Sequence, residues 1–495
     1  MRRPKLKLFA SLTGSCKDIS TKDVRMTVIN GQIVEDASGG SWIAPVCASD
    51  ISPPSSSYAR GACPSLSTPM MTGDGLLVRL RPTSAGLTFS QLRLLAEAAG
   101  RHGNGIVEIT ARGNLQLRGL KSRTIGPLSD DISRAGIIAE TGVTIEVPPL
   151  SDIDPEQIAD ARALAASLRQ TIAGLETPLE LAPKFTIVVD GGGLLSLDGL
   201  SADIRLKAVH RAKEAPTWNV AIGGTAQTAR SVGTMPQADA IPAVLDMLKA
   251  VASLEHGARG RDLDVDAISR LLSCAASPAE FAMNARSPVG LHHLACGKVV
   301  LGLGLGFGQI RAAELIAVAN IAESHGAQEV RVAPGHAMLL VGLDEKRARA
   351  LQLAAANFGL LIDPQDVATA ISACAGEGAC ASGLYHTKVA ATEFLCVAGE
   401  LLDGSTRLHF SGCPKGCAHP SSADIAVVGT PTGYGLVVNG VASAKPLAYI
   451  GKSGLQSALQ AVARLVHDKK DAGESVSACL KRLAADDIVT ALQQG

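Results

Sequence analysis

A chain that matches itself at long range is confined to folds built twice, and this one does so. Displaced by 223 residues, Asp74–Leu120 falls on Gly297–Leu343 without a gap. Leu80, Leu92, Ala96, Ala99, His102, Gly103, Val107, Leu117, Gly119 and Leu120 meet Leu303, Leu315, Ala319, Ala322, His325, Gly326, Val330, Leu340, Gly342 and Leu343, ten identities in 47 positions. The period is far longer than that of a solenoid repeat. It implies two half-molecules related by a pseudo-two-fold axis. A weaker echo, Ala202-Asp203-Ile204 against Ala423-Asp424-Ile425, lies at a similar offset.

Each copy reads strand–helix–strand–strand. In the first, Leu76–Leu80 is a short apolar strand. Thr88 and Gln91 form a capping box for a helix whose apolar face is Leu92, Leu95, Ala96 and Ala99. Gly100 and Gly103 stop it, and Ile106–Thr110 pairs with Leu115–Leu117 around Gly113-Asn114. The second copy predicts a helix over Ala312–His325 and strands at Val330–Ala333 and Met338–Val341. The fold class is therefore α+β, with ferredoxin-like half-repeats.

Between the copies, Asp154-Pro155 carries a cap-and-N1 signal for a helix over Glu156–Ile172, followed by a strand at Phe185–Asp190. Val251 to about Pro288 reads as a crossover linker. The C-terminal part predicts strands near Ala426–Gly429 and Gly435–Val438 and helices over Leu455–His467 and Val476–Leu492. The resulting division is a poorly ordered leader over 1–59, half-repeats over 60–128 and 271–350, and α+β regions over 129–270 and 351–495. Met26 is a second possible start.

Zero net charge and 3% aromatic residues argue against a nucleic-acid partner, and no apolar run is long enough to cross a bilayer. No secretory signal is legible, so a cytoplasmic location is expected. Eleven cysteines without an export signal speak against a disulfide framework and for metal or redox use of any that cluster.

Four do cluster. Cys374 and Cys380 are spaced C-x5-C in a run of Gly and Ala, and Cys413 and Cys417 are spaced C-x3-C in Ser411-Gly412-Cys413-Pro414-Lys415-Gly416-Cys417. A [4Fe–4S] cube needs four converging thiolates and close backbone, which small residues permit. Structural zinc favours C-x2-C pairs and fits less well. The remaining cysteines (16, 47, 63, 274, 296, 396 and 479) show no grouping and read as ordinary thiols. Arg79, Arg81, Arg112 and Arg118 crowd the first copy. Arg79 and Arg81 share a strand face opposite Leu80, an arrangement that suits the binding of carboxylates. Their repeat partners are Gly302 and Gly304, so one asymmetric cavity between similar halves is expected. The run Gly302–Gly308 fails the dinucleotide register because position 307 is Phe.

The two cysteine spacings on a duplicated chain resemble the sulfite and nitrite reductase superfamily, from about Arg60 to the C-terminal region. Within it the closest resemblance is to the precorrin-3B synthases. It is carried by Arg60-Gly61-Ala62-Cys63-Pro64-Ser65-Leu66, Thr72–Leu80, Ile109–Gly119 and His409-Phe410-Ser411-Gly412-Cys413. By motif match the resemblance implies that Arg81, Arg112 and Lys184 bind macrocycle carboxylates. The reductases carry a second lysine where Thr186 stands here, which counts against a six-electron reductase. Gly306 and His336 also depart from the synthase pattern, where proline and arginine are usual.

The resemblance further implies O2-dependent hydroxylation and lactone formation on precorrin-3A in aerobic cobalamin biosynthesis. It implies a mononuclear non-haem iron beside the [4Fe–4S] cluster, and an external reductase or ferredoxin as electron donor. His386, His409 and His419, with Asp403 or Glu377, are candidate iron ligands near the cluster loops. Two alternatives stand: a sirohaem-dependent sulfite or nitrite reductase with Cys417 bridging cluster and haem, and a non-catalytic Fe–S electron carrier.

Overall fold

The computed structural model describes residues 27–29, 32–34, 64–209, 215–272, 286–419 and 421–494. Cys16, Cys47, Cys63, Cys274, Met26, the Arg60–Cys63 phrase and most of the expected leader lie outside these. Within the leader stretch, β1 (Thr27–Ile29) pairs with β2 (Gln32–Val34).

The repeat is visible as two βαββα units. The first comprises β3 (Met70–Thr72), β4 (Gly75–Leu80), α1 (Phe89–His102), β5 (Ile106–Ile109), β6 (Leu115–Leu120) and α2 (Ser122–Arg134). The second comprises β12 (Gly290–His293), β13 (Val299–Gly304), the short β14 (Gln309–Arg311), α6 (Ala312–Ser324), β15 (Glu329–Ala333), β16 (Ala337–Leu343) and α7 (Glu345–Ala356). The Thr88–Gln91 capping box is formed as predicted. Gly119 and Gly342, identical in the repeat, both take positive φ (66° and 94°), which a side chain would strain.

The two units exchange backbone reciprocally. Ile310 on β14 pairs with Val107 on β5, and Leu87 pairs with Val330 on β15. These are the same two positions under the 223-residue offset. The helices α1 and α6 pack on each other, with Arg93 of one held by Glu323 of the other at 2.8 Å, and a single core runs through both units.

The duplication extends further than the first match. Two five-stranded sheets share one topology. The first is ordered β11 (Arg230–Pro236), β10 (Thr217–Gly224), β9 (Ala202–Val209), β8 (Thr186–Asp190), β7 (Thr144–Glu146). The second is ordered β21 (Ala448–Gly451), β20 (Gly433–Gly440), β19 (Ala423–Thr430), β18 (Leu408–Ser411), β17 (Ile371–Ala373). In each, the first three strands in sequence are parallel and the last three antiparallel. The first parallel crossover is a helix in both, α3 (Ala161–Ala173) and α8 (Thr387–Val397). Asp203 and Asp424 sit at equivalent places at the start of β9 and β19.

Three sequence expectations need correction. The helix does not begin at Asp154: it is α3, capped by Asp160, whose carboxylate accepts from the Arg162 and Ala163 amides. Asp154 is buried instead and accepts from Leu194 N, tying two loops together. The region from Val251 is not simply linker, because α4 (Gln237–Ala252) ends there and α5 (Val265–Leu271) follows against β11. The predicted Val476–Leu492 helix is two, α10 (Val476–Arg482) and α11 (Ala485–Gln494), broken where Leu483 turns extended; α9 (Leu455–Lys469) lies against both. The Gly302–Gly308 run is the end of β13 and a tight turn. A Cβ at Gly302 would strike the Pro288 carbonyl, and one at Gly304 would lie 2.9 Å from Val289. Arginines there would have no space, which is why the charged face exists in one half alone.

Candidate functional site

The four cysteines leave the carboxyl ends of two adjacent parallel strands. Cys374 follows β17 directly and Cys413 follows β18 by one residue, so their loops run side by side. Gly412 N donates to Cys374 Sγ at 3.1 Å. Burial raises the Cys417 thiol pKa, and the charges of Cys413, Cys374 and Cys380 raise it further. All four are free thiols. Among the described residues no three His, Cys, Asp or Glu groups are set to share a single metal ion. Four cysteine thiols on two adjacent loops of small residues are the donor set a [4Fe–4S] cube takes. Glycine lets the loops close in. A Cβ on Gly376 would lie 2.7 Å from Thr387 Oγ1, and one on Gly412 would lie 3.5 Å from Cys374 Sγ.

The first half-repeat presses on this loop. A Cβ on Gly73 would meet Cys380 N and Gly378 O, both at 2.9 Å. Arg118 forks onto Asp74 (3.0 and 3.1 Å) and also donates to the Ala379 carbonyl. Glu108 lies behind, 3.6 Å from Arg118 and 3.8 Å from Lys388. Burial works to raise the Glu108 carboxyl, yet Arg118, Lys388 and hydrogen bonds from Gln309 and Gln116 bring it below the usual carboxylate range. Burial pushes Lys388 down to about 8 against the pull of Glu108. A cavity of about 790 Å³ opens here, between Asp74, Asn104, Arg118 and the 375–379 loop.

A second cleft, of about 780 Å³, lies between the first half-repeat, α3 and the edge of the first five-stranded sheet. Arg81 and Arg112 line it. Arg81 donates to Thr144 Oγ1 and lies 3.9 Å from Glu140; Arg112 forks onto Glu146 at 2.8 and 2.6 Å and reaches the Ser201 carbonyl. Arg162 and Arg169 enter from α3, and Pro334 and Val332 of the second half close one wall. Of the five predicted carboxylate-binding residues, the structure thus brings Arg81 and Arg112 together and puts Arg118 at the cysteine loop. Arg79 donates to Gln116 beside it on the sheet. Lys184 is exposed, at φ 63° in the turn before β8, and lines neither cleft. Thr186 turns its hydroxyl onto the Lys184 carbonyl. Sequence reading missed Arg162 and Arg169. The signal for Arg162 was a cation in the first turn of a helix, hidden by the misplaced helix start; Arg169 follows about two turns later on the same helix.

The proposed iron ligands do not assemble. Asp403 accepts from Val476 N and Ser405, at the start of α10. Glu377 lies 3.9 Å from His386 at the surface. His409 is buried, with neither ring nitrogen hydrogen-bonded. Its ring lies 5.8 Å from that of His419, and burial, then His419, lowers its pKa to about 4.

Residues 68–135 match the family model of the nitrite/sulfite reductase ferredoxin-like half domain. A precorrin-3B synthase from Sinorhizobium sp is 47% identical over 440 residues, covering 89% of this chain and 96% of that protein. The chain belongs to the precorrin-3B synthase family. A ferredoxin–nitrite reductase from Synechococcus elongatus is 25% identical, covering 72% of this chain and 77% of the relative. The Mycobacterium tuberculosis NirA structure superposes with a TM-score of 0.68 at 17% identity, over 83% of this chain and 84% of that one. That likeness fixes the fold of the family member: the sulfite/nitrite-reductase architecture, α+β and internally duplicated. No helix among the described residues is long and apolar enough to cross a membrane.

Proposed function

We propose that this chain is a precorrin-3B synthase, hydroxylating precorrin-3A with O2 and closing a lactone. The near full-length likeness to the Sinorhizobium synthase carries the reading. A [4Fe–4S] cluster on Cys374, Cys380, Cys413 and Cys417 would supply electrons one at a time. Gly412 N and the small residues beside the cysteines hold the thiol loops, while Arg118 fixes the 375–379 loop to the first half. Arg81 and Arg112 set positive charge in the first-half cleft, where it attracts the substrate's carboxylates and orients the macrocycle. Because the candidate iron ligands do not converge, no step is assigned to a mononuclear iron. A ferredoxin-type donor and a cytoplasmic location complete the proposal.

Anaerobically purified protein tests it. The expected result is about four irons and four sulfides in a cluster, no sirohaem absorption, and turnover of precorrin-3A with O2 and a reductant. Turnover and cluster absorbance should both vanish in Cys374→Ser. Strong sirohaem bands would instead favour a sulfite or nitrite reductase. An intact cluster without turnover would favour an electron carrier.

A further inference from the structure

Four guanidiniums line the first-half cleft, and only two carboxylates, Glu140 and Glu146, line it with them. Glu146 is committed to Arg112, and Glu140 to Arg169 at 2.8 Å with Arg81 further off. Arg162 is left with Asp152 at 3.6 Å, beyond hydrogen-bond reach, and Asp152 is itself held in a fork by Arg331. The Nε atoms of Arg162 and Arg169 are both buried without a hydrogen-bond partner. Arg162 is also the second residue of α3, at the end of a helix where the backbone dipole disfavours a cation. A guanidinium that is half-buried with its Nε shut off from water, under-neutralised and set against a dipole is costly to the free protein. An anionic ligand removes all three costs together.

The second half bears this out. Its equivalent helix, α8, also carries a cation as its second residue, Lys388, and that side chain lines the other cavity. There Glu108 answers it at 3.8 Å. In the first half the ligand has to.

We propose that Arg162 and Arg169, about two turns apart on α3, are binding residues of the first-half cleft that take carboxylates of a macrocyclic polycarboxylate. This rests on the tetrapyrrole reading above and adds two residues from an element that reading does not use.

The test uses the full-length, cluster-loaded chain and uroporphyrin as probe, followed by fluorescence. Wild type should bind. Arg162→Gln should weaken binding roughly tenfold or more, as loss of a charge-assisted fork does. Arg162→Lys should fall between, keeping the charge without the fork. Arg169→Gln should weaken it likewise, and should Arg169→Gln fail to fold through loss of the Glu140 pair, Arg162→Gln decides alone. Wild-type affinity in Arg162→Gln, with cluster content unchanged, overturns the inference and leaves the function standing. Failure of the wild type to bind overturns the tetrapyrrole reading and the inference with it.

Discussion

At the scale of single residues, the cysteine loop depends on what is absent as much as on its thiols. Gly73 has no side chain because the Cys380 amide and the Gly378 carbonyl occupy that space. Gly73→Ala should push the loop outward and lower iron content per chain while far-ultraviolet circular dichroism stays as in wild type; full iron loading would show that the loop yields instead. His336 is a second such residue. It holds φ 62° and donates from Nδ1 to the Ile109 carbonyl at 2.7 Å, so that ring nitrogen carries the proton. Burial lowers its pKa. The unfolded chain therefore takes up the proton first as pH falls below the ordinary imidazole value near 6.5, and stability is lost from there downward. His336→Asn tolerates the backbone angle and does not titrate. Its urea midpoint should fall less than that of wild type between pH 7.5 and 5.5, and parallel curves would count against this account.

At the scale of elements, local signals held where a helix end is made by its own side chains. Thr88 and Gln91 exchange hydrogen bonds with the backbone as their spacing predicts. Thr88→Ala should cost about 1 kcal/mol, seen as faster amide exchange in the first turn of α1; unchanged exchange would mean that packing alone holds that turn. The same kind of signal misled at Asp154-Pro155. The Asp154 carboxylate answers the Glu156 amide locally, but its other oxygen accepts from Leu194, forty residues away. A distant amide outcompeted helix formation there, and Asp160 took over the cap. Chemistry followed that shift, since it sets Arg162 and Arg169 on the face that lines the cleft.

At the scale of the whole molecule, the halves are not two domains side by side. β14 of the second unit is an edge strand of the first unit's sheet, and the Leu87 segment returns the exchange on β15. Their core is shared, with Leu80, Leu95 and Leu117 in the same cluster as Leu303, Val318 and Leu340. Chains 64–272 and 286–494 should therefore aggregate when made separately and recover solubility and cluster loading when co-expressed. A soluble, monomeric first half with native-like amide protection would refute that. The same exchange brings the first half's Gly73, Asp74 and Arg118 against a loop that only the second half possesses.

Sequence alone determined the duplication, the strand–helix–strand–strand units and the four cysteines as one group. Each is written in local spacing: periodicity, caps, glycines and the C-x5-C and C-x3-C runs. It also marked Arg81, which shares a strand face with Arg79 and meets glycine in the repeat, and Arg112 by its match to a family motif. Only the tertiary structure decided that Arg118 serves the cysteine loop and not the cleft with Arg81 and Arg112. It alone showed that Lys184 lies outside both cavities and that Arg162 and Arg169 line the cleft with Arg81 and Arg112. The reason is physical. A guanidinium reaches several ångströms from its backbone and pairs with whatever carboxylate the fold brings near. Asp74, Glu140 and Glu146 were brought near by sheet pairing and crossover packing, which no local spacing encodes.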